Sequence, residues 1–155
     1  RMNQQCSTAI HRDMSGTDPL RVFVVDDNRA SLLSLEDLVH VSGHRPCLAR
    51  TPAEAIELAT RESFDLAFID YRLPGMNGVD LIHSLRMFVP ASEYVLISGF
   101  SAVCLEEASR EANAAAWFRK PLQIDPILEF IRNVYVSRQR VVESSTAGLV
   151  GRTGA

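Results

Sequence analysis

The sequence lacks the features that mark several large classes of protein. No apolar stretch approaches the length of a membrane span, and the first twenty residues have no apolar core of the kind found in signal peptides. The three cysteines are far apart and odd in number, which fits neither a disulfide framework nor a zinc site. We therefore expect reduced thiols, a location in the cytoplasm and no contact with a membrane.

The sequence also lacks an excess of positive charge. Its 16 Lys and Arg are outnumbered by 19 Asp and Glu, so the formal net charge is −3. Without a basic field, direct binding of nucleic acid is not expected. No Gly-rich loop follows the first apolar run, which disfavours dinucleotide or ATP binding. The length of 155 residues, of which 46% are hydrophobic, predicts one globular domain.

The two ends of the chain differ in composition from the middle. Residues 1–19 are polar and show no hydrophobic period, and residues 141–155 become rich in Gly, Ser and Thr. We therefore expect a folded body over residues 20–140 between two flexible tails, the second of which could also be a truncated linker.

Within this body, apolar runs alternate five times with segments of helical periodicity, which predicts a βα-repeated fold with a parallel sheet. The predicted strands are Arg21–Val25, His44–Arg50, Asp65–Ile69, Tyr94–Ile97 and Ala115–Phe118. Pro46 lacks the N–H that a central strand needs, so the second strand should lie at a sheet edge. Asn28 and Thr51 are predicted helix N-caps, and a helix over about residues 101–112 has few large apolar residues.

Three carboxylates follow two of the predicted strands. Asp26 and Asp27 come directly after the first, and Asp70 follows the third. The carboxyl ends of parallel strands face the crevice in which open α/β sheets bind ligands. Converging carboxylates repel each other strongly unless a cation lies between them. The sequence therefore predicts a site for Mg²⁺ or a similar hard ion. The competing interpretation, acidic residues favoured by a helix N-terminus, accounts for Asp27 but not for Asp70.

Polar residues also stand at the ends of the fourth and fifth predicted strands. Ser98 ends the fourth strand and Lys120 follows the fifth, while the turn at 73–78 reads Leu-Pro-Gly-Met-Asn-Gly. Together with the acidic residues, this pattern resembles the receiver domain of two-component response regulators over roughly 120 residues. The resemblance implies a single flavodoxin-like (βα)5 domain, a doubly wound parallel sheet of strand order 2-1-3-4-5.

The resemblance also implies a metal-dependent phosphoryl acceptor. Asp70 would accept a phosphoryl group from phosphohistidine, beside Mg²⁺ or Mn²⁺. By the same resemblance, Asp27 and Asp70 bind the ion directly, Asp26 binds it directly or through water, and the backbone carbonyl of Arg72 adds a ligand. Because the phosphoryl group stays on the protein, such a domain is a switch and not a turnover enzyme.

Two further residues are implied to bind and report the phosphoryl group. Lys120 would supply a fixed positive charge and Ser98 a hydroxyl donor. The switch would run from Ser98 to Trp117, the aromatic residue three positions before the lysine. The alternative for Trp117 is a half-buried aromatic side chain on an edge strand that packs against the last helix without moving.

The implied partners are a histidine kinase or a histidine phosphotransfer protein, and an output domain or downstream target, with a possible phosphorylation-linked homodimer. Two other functions remain open: an interaction module independent of phosphorylation, and a metal-dependent phosphatase. The phosphatase is disfavoured because the position two residues after Asp70 holds Arg72 and not a second acid. The four histidines, His11, His40, His44 and His83, share no spacing typical of a metal site.

Overall fold

The computed structural model describes residues 18–150, with side chains through residue 141. Seven strands and five helices occur in this part of the chain. In chain order they are β1 (Arg21–Val25), α1 (Arg29–Val41), β2 (Arg45–Ala49), α2 (Pro52–Arg61), β3 (Leu66–Asp70), β4 (Arg72–Leu73), β5 (Met76–Asn77), α3 (Gly78–Arg86), β6 (Glu93–Ser98), α4 (Ala102–Glu111), β7 (Ala116–Arg119) and α5 (Ile124–Val150).

Five of the strands form one parallel sheet. Their order is β2-β1-β3-β6-β7, which is the predicted order 2-1-3-4-5 once the short strands β4 and β5 are set aside. Those two strands pair with each other as a separate antiparallel ribbon. Pro46 lies in the edge strand β2, as its missing N–H requires. The predicted flavodoxin-like α/β fold is confirmed.

The sheet is covered on both faces because its central strands are apolar at nearly every position. Alternate residues of a strand point to opposite faces. In β1, Phe23 and Val25 join the core beneath α2, α3 and α4, whereas Val22 and Val24 join the core beneath α1 and α5. All four side chains are buried. The polar groups at the strand ends are therefore the part of the sheet that can meet a ligand.

The helices begin at the capping residues that the sequence indicates. The Asn28 side chain accepts a hydrogen bond from the Ser31 N–H at 3.0 Å, and the Thr51 hydroxyl accepts one from the Glu54 N–H at 3.2 Å. The Glu54 carboxylate reaches back to the Arg50 N–H at 3.3 Å. The Glu54 carboxylate thus bonds the residue before the cap, and this bond fixes the chain where β2 ends.

The last helix is longer than we expected. Helix α5 continues to Val150, so the first ten residues of the predicted tail, 141–150, are helical. Gly, Ser and Thr each lower helix stability by only about 1 kcal/mol or less, so a composition rich in them does not end a helix already formed. Residues 1–17 and 151–155, which hold the rest of both predicted tails, lie outside the described residues.

Within residues 18–150, no helix combines the length and the apolar character that a membrane span requires. Cys104 is a free and exposed thiol, as expected, whereas Cys6 lies outside the described residues.

Candidate functional site

The ends of β1 and β3 bring three carboxylates together. Asp26, Asp27 and Asp70 each offer an oxygen atom, and these atoms all lie within 4.8 Å of one another. Their exposure differs, because Asp26 is fully buried and Asp70 nearly so, while Asp27 is exposed. The structure therefore brings together the three acidic residues that the sequence predicts at this edge of the sheet.

The two buried carboxylates are held by one lysine. The Lys120 ammonium, placed just after β7, donates to Asp26 Oδ2 at 2.8 Å and to Asp70 Oδ2 at 3.1 Å. Their other oxygens accept backbone N–H groups: Asp26 Oδ1 that of Asn28 at 2.9 Å, and Asp70 Oδ1 that of Arg72 at 3.3 Å. Both carboxylates are thus fixed by a cation on one side and by the main chain on the other.

The pKa values of the buried groups reflect this crowding. Burial raises the pKa of the Asp70 carboxyl, the charge of Asp26 and a hydrogen bond with it raise it further, and Lys120 offsets these effects only in part, so the result is about 6. Burial would lower the pKa of the Lys120 ammonium, but its two carboxylate partners outweigh burial and raise that pKa. The lysine is therefore a permanent positive charge beside a carboxylate that does not ionise easily.

Ser98 ends β6, the strand that pairs with β3 beside Asp70. Its side chain is buried, and its Oγ accepts the N–H of Phe100 at 3.2 Å. Because that bond uses a lone pair, the hydroxyl proton is left to donate elsewhere. The Ser98 carbonyl accepts the Lys120 N–H at 2.8 Å, so the strand end is tied directly to the lysine.

A shallow groove lies beside the acidic cluster, between the β4–β5 ribbon and the loop after β6. Its volume is about 430 Å³, and Tyr71, Arg72 and Phe100 lie along it. The Arg72 guanidinium lies 4.8 Å from the centre of the Phe100 ring, against which Tyr71 packs edge-on at 5.5 Å. Phe100 was not predicted from the sequence, because its only signal there is an aromatic residue in the loop that follows a predicted strand.

Trp117 does not pack as the alternative interpretation expected. It is half-buried in β7 and joins the core beneath α2, α3 and α4. The next residue, Phe118, faces α5 and meets Phe130 edge-on at 5.9 Å. Since neighbouring strand residues alternate between faces, Trp117 lies on the side opposite to the last helix. The expectation that Trp117 packs against that helix was therefore wrong.

Close packing behind the site depends on Gly78, which was expected only as part of a turn. A Cβ atom added to Gly78, the first residue of α3, would lie 2.6 Å from the backbone oxygen of Asp70 and 2.9 Å from the Cα of Tyr71. Only glycine permits this approach. The missing side chain lets α3 begin directly against the residue that carries the central carboxylate.

Comparison with known proteins identifies relatives of this arrangement. The response regulator receiver domain family matches residues 22–132. The sensory/regulatory protein RpfC of Xanthomonas campestris pv. campestris is 28% identical over 131 residues, which cover 82% of this chain and 18% of that protein. The response regulator receiver protein Anae109_2439 of Anaeromyxobacter sp. is 32% identical over 109 residues, which cover 70% of this chain and 46% of that protein. The chain thus spans less than half the length of either relative.

Solved structures show the same architecture. A CheY-like response regulator receiver domain protein from Methanospirillum hungatei JF-1 superposes with a TM-score of 0.72 at 26% identity, covering 79% of this chain and 98% of that one. The signal receiver domain of an HD domain-containing protein from Pseudomonas fluorescens Pf-5 has a TM-score of 0.73 at 20% identity, covering 88% and 98%, a likeness that concerns the fold. From the family match over most of its length, the chain belongs to the response regulator receiver domain family.

Proposed function

We propose that this chain is a phosphorylatable receiver in which Asp70 accepts a phosphoryl group from a phosphohistidine donor and thereby alters a protein-interaction surface in phosphorelay signalling. The observation that carries the proposal is the convergence of Asp26, Asp27 and Asp70 beside the ammonium of Lys120. A nucleophile, a cation site and a fixed positive charge are the parts that phosphoryl transfer requires.

The donor set suits a hard divalent cation. When all three carboxylates are ionised, the one lysine ammonium balances only one of their charges. The remaining charge of about −2 matches a divalent cation. Asp27 and Asp70 would hold Mg²⁺ or Mn²⁺ with the backbone carbonyl of Arg72, and Asp26 would bind directly or through water. When bound, such an ion withdraws charge from the oxygens of a phosphoryl group in transfer.

The side chains would divide the chemistry among them. An oxygen of Asp70 attacks the phosphorus as the bond to the donor's histidine nitrogen breaks, and the imidazole keeps that electron pair. Lys120, already within hydrogen-bond distance of Asp70, balances charge on the phosphoryl oxygens, and Ser98 donates its free hydroxyl proton to them. Because Asp70 keeps the group until hydrolysis, the domain acts as a switch and not as a turnover enzyme.

The proposed switch runs from Ser98 to Trp117. Trp117 pairs in register with Leu96, two residues before Ser98, and shares a core with α4. Helix α4 is held by few side chains, since Leu105, Ala108 and Ser109 are its buried residues. A shift of the Ser98 loop can therefore reach α4 through this face of the sheet, and the surface formed by α4, β7 and α5 is the proposed site of a phosphorylation-linked homodimer.

The proposed partners follow from the same chemistry. The phosphoryl donor is a histidine kinase or a histidine phosphotransfer protein, and the recipient of the signal is an output domain or a downstream target protein. Support comes from relatives named as sensory or transcriptional regulatory proteins, of which this chain covers only a part. We propose residues 20–140 as the receiver unit, and the expected cytoplasmic location stays a prediction.

Small-molecule phosphorylation tests the proposal directly. The protein and its Asp70→Asn variant are incubated with Mg²⁺ and then acetyl phosphate, while intact mass and Trp117 fluorescence are recorded. The expected result is a phosphoryl adduct on the unaltered protein, none on the variant, and a fluorescence change that requires Mg²⁺. Mg²⁺ binding without an adduct would instead favour an interaction module independent of phosphorylation. An adduct with unchanged fluorescence would remove Trp117 from the switch.

A further inference from the structure

The three carboxylates of the site are not held equally. Asp26 and Asp70 are buried, and each accepts both the Lys120 ammonium and a backbone N–H. Asp27 is exposed, and in the described part of the chain no hydrogen bond or ion pair reaches its carboxylate. The direction of the Asp27 side chain therefore depends on how firmly its own backbone is held.

That backbone is held by the end of the edge strand β2. The Ala49 carbonyl accepts the Asp26 N–H at 3.2 Å, and Arg50 Nη2 donates to the Asp27 carbonyl at 3.3 Å. Arg50 is itself fixed, because its N–H donates to the Glu54 carboxylate at the start of α2. Among the described residues, Arg50 is the side chain that bonds the Asp27 main chain, and it forms no ion pair.

We propose that Arg50 is a positioning residue for the metal site: its guanidinium holds the Asp27 carbonyl so that the exposed Asp27 carboxylate faces Asp26 and Asp70. The inference rests on the proposed function, since it concerns the same cation site. It adds a strand, β2, to the β1, β3 and β7 ends that supply the acidic residues and the lysine.

The charge of Arg50 and its hydrogen bond should affect Mg²⁺ binding in opposite directions. A guanidinium near a cation site repels the cation, so loss of its charge alone would strengthen Mg²⁺ binding slightly. Loss of its hydrogen bond would loosen Asp27 and weaken Mg²⁺ binding. If Arg50 acts by positioning, its removal weakens binding even though a repelling charge has gone.

The chain offers a matched control for the charge. Arg29 is exposed in the same β1–α1 segment, two residues from Asp27, and no hydrogen bond or ion pair of its side chain occurs among the described residues. Arg29→Gln removes the same charge from the segment that carries Asp27 without removing a hydrogen bond or an ion pair. Arg50→Lys keeps the charge but loses the planar fork that reaches the carbonyl.

The test compares Arg50→Gln, Arg50→Lys and Arg29→Gln by calorimetric titration with Mg²⁺. We expect Arg50→Gln to weaken Mg²⁺ binding about three- to tenfold, Arg50→Lys to weaken it less, and Arg29→Gln to leave it equal or slightly tighter. A second readout is hydrogen exchange of the Asp27 and Asn28 amides without metal, which should accelerate in Arg50→Gln and not in Arg29→Gln.

The outcomes separate the two proposals. If the unaltered protein binds no Mg²⁺, the proposed function itself fails. If it binds Mg²⁺ and Arg50→Gln binds equally well, or if Arg29→Gln weakens binding as much, Arg50 is not a positioning residue and only this inference is overturned. Thermal unfolding of each variant in chelator confirms that the exposed substitutions leave the fold intact.

Discussion

Asp70 ionises in surroundings that oppose its charge. Its pKa in the fold is about 6, against an ordinary value of 3.8, so the folded protein binds a proton more tightly than the unfolded chain does. Protonation of Asp70 therefore stabilises the fold. This stabilisation is fully present below pH 3.8 and is lost as the pH rises through about 6. At neutral pH without metal, the ionised Asp70 costs about 2–4 kcal/mol of stability.

Asp70→Asn should accordingly stabilise the metal-free protein. We expect the free energy of unfolding in chelator at pH 7.5 to rise by about 1–3 kcal/mol, because a buried charge beside Asp26 is removed. The gain should shrink toward pH 5, where the folded Asp70 is protonated. Urea unfolding at both pH values measures it. A variant less stable than the unaltered protein at pH 7.5 would contradict the prediction that the ionised Asp70 destabilises the metal-free fold.

The stability contribution of His44 should depend on pH in the opposite direction to that of Asp70. Burial lowers its pKa below 6.5, with the charge of Asp65 opposing the change, and its Nδ1 accepts the Leu20 N–H at 3.0 Å while its ring packs on Tyr135. A lowered histidine pKa gives stability that is present above pH 6.5 and lost as the pH falls toward the folded value.

We therefore expect the stability difference between the unaltered protein and His44→Gln to narrow as the pH falls from 7.5 to 5.5. Both proteins contain Asp70, so the difference between their unfolding free energies, measured with urea across this pH range, reports the effect of His44. An NMR titration that placed the His44 pKa above 6.5 would contradict the prediction.

At the residue scale, the sequence alone could predict those site residues whose chemical type is unusual at the end of a buried strand. Asp26, Asp27 and Asp70 could be predicted because carboxylates seldom end buried strands unless a cation or another charge balances them. Arg50 and Phe100 could not, because an exposed arginine and a loop aromatic are common. Their contacts depend on side-chain directions that only the folded chain defines.

At the scale of elements, the junction of β3 and α3 is set by the absence of one side chain. A Cβ at Gly78 would press on the backbone of Asp70 and Tyr71, and neither can rotate away as a side chain could. Alanine gains up to about 1 kcal/mol of helix propensity over glycine, but overpacking a fixed backbone costs about 1–3 kcal/mol. The steric cost should therefore win.

We expect Gly78→Ala to lower the free energy of unfolding by about 1–2 kcal/mol and to slow phosphorylation of Asp70. The control is Gly99→Ala, because a Cβ there meets no atom within 4 Å and stability should change by less than about 0.5 kcal/mol. Chemical denaturation and acetyl phosphate kinetics measure the two effects. Equal stability of the two variants would show that the junction can relax.

The elements themselves differed in how far the sequence could predict them. Caps at Asn28 and Thr51 could be placed because side-chain capping is a local interaction. The end of α5 could not, since a composition rich in Ser and Thr lowers helix propensity without forbidding a helix. The β4–β5 ribbon of two-residue strands was likewise expected only as a turn, because so short a pairing leaves no period to detect.

Across the whole molecule, charged residues are arranged differently at the carboxyl ends and at the amino ends of the parallel strands, called here the carboxyl edge and the amino edge of the sheet. The carboxyl edge carries the acidic cluster, whose charges oppose one another. At the amino edge, Arg21 pairs with Glu62 at 2.8 Å, and its N–H donates to Asp65 at 2.9 Å. The amino edge thus pairs opposite charges, whereas the carboxyl edge gathers like charges beside a single lysine.

Arg138 joins α5 to this amino edge. Its guanidinium donates to the Asp65 carboxylate at 3.2 Å, to the Asp65 carbonyl at 2.9 Å and to the Ala91 carbonyl at 2.6 Å. These bonds connect the last helix to the start of β3 and to the loop before β6. They lie beyond Val134, a buried apolar residue of α5, so they fix the direction in which the helix leaves the sheet.

Arg138→Met should therefore lower the free energy of unfolding by about 2 kcal/mol, because it leaves the Asp65 carboxylate with one partner fewer. Arg140→Met, an exposed change on the same helix, should alter stability by less than about 0.5 kcal/mol. Urea unfolding compares the two, and hydrogen exchange should show faster exchange of α5 amides after residue 134 in Arg138→Met alone. Equal protection in both variants would mean that apolar packing holds the helix without the arginine.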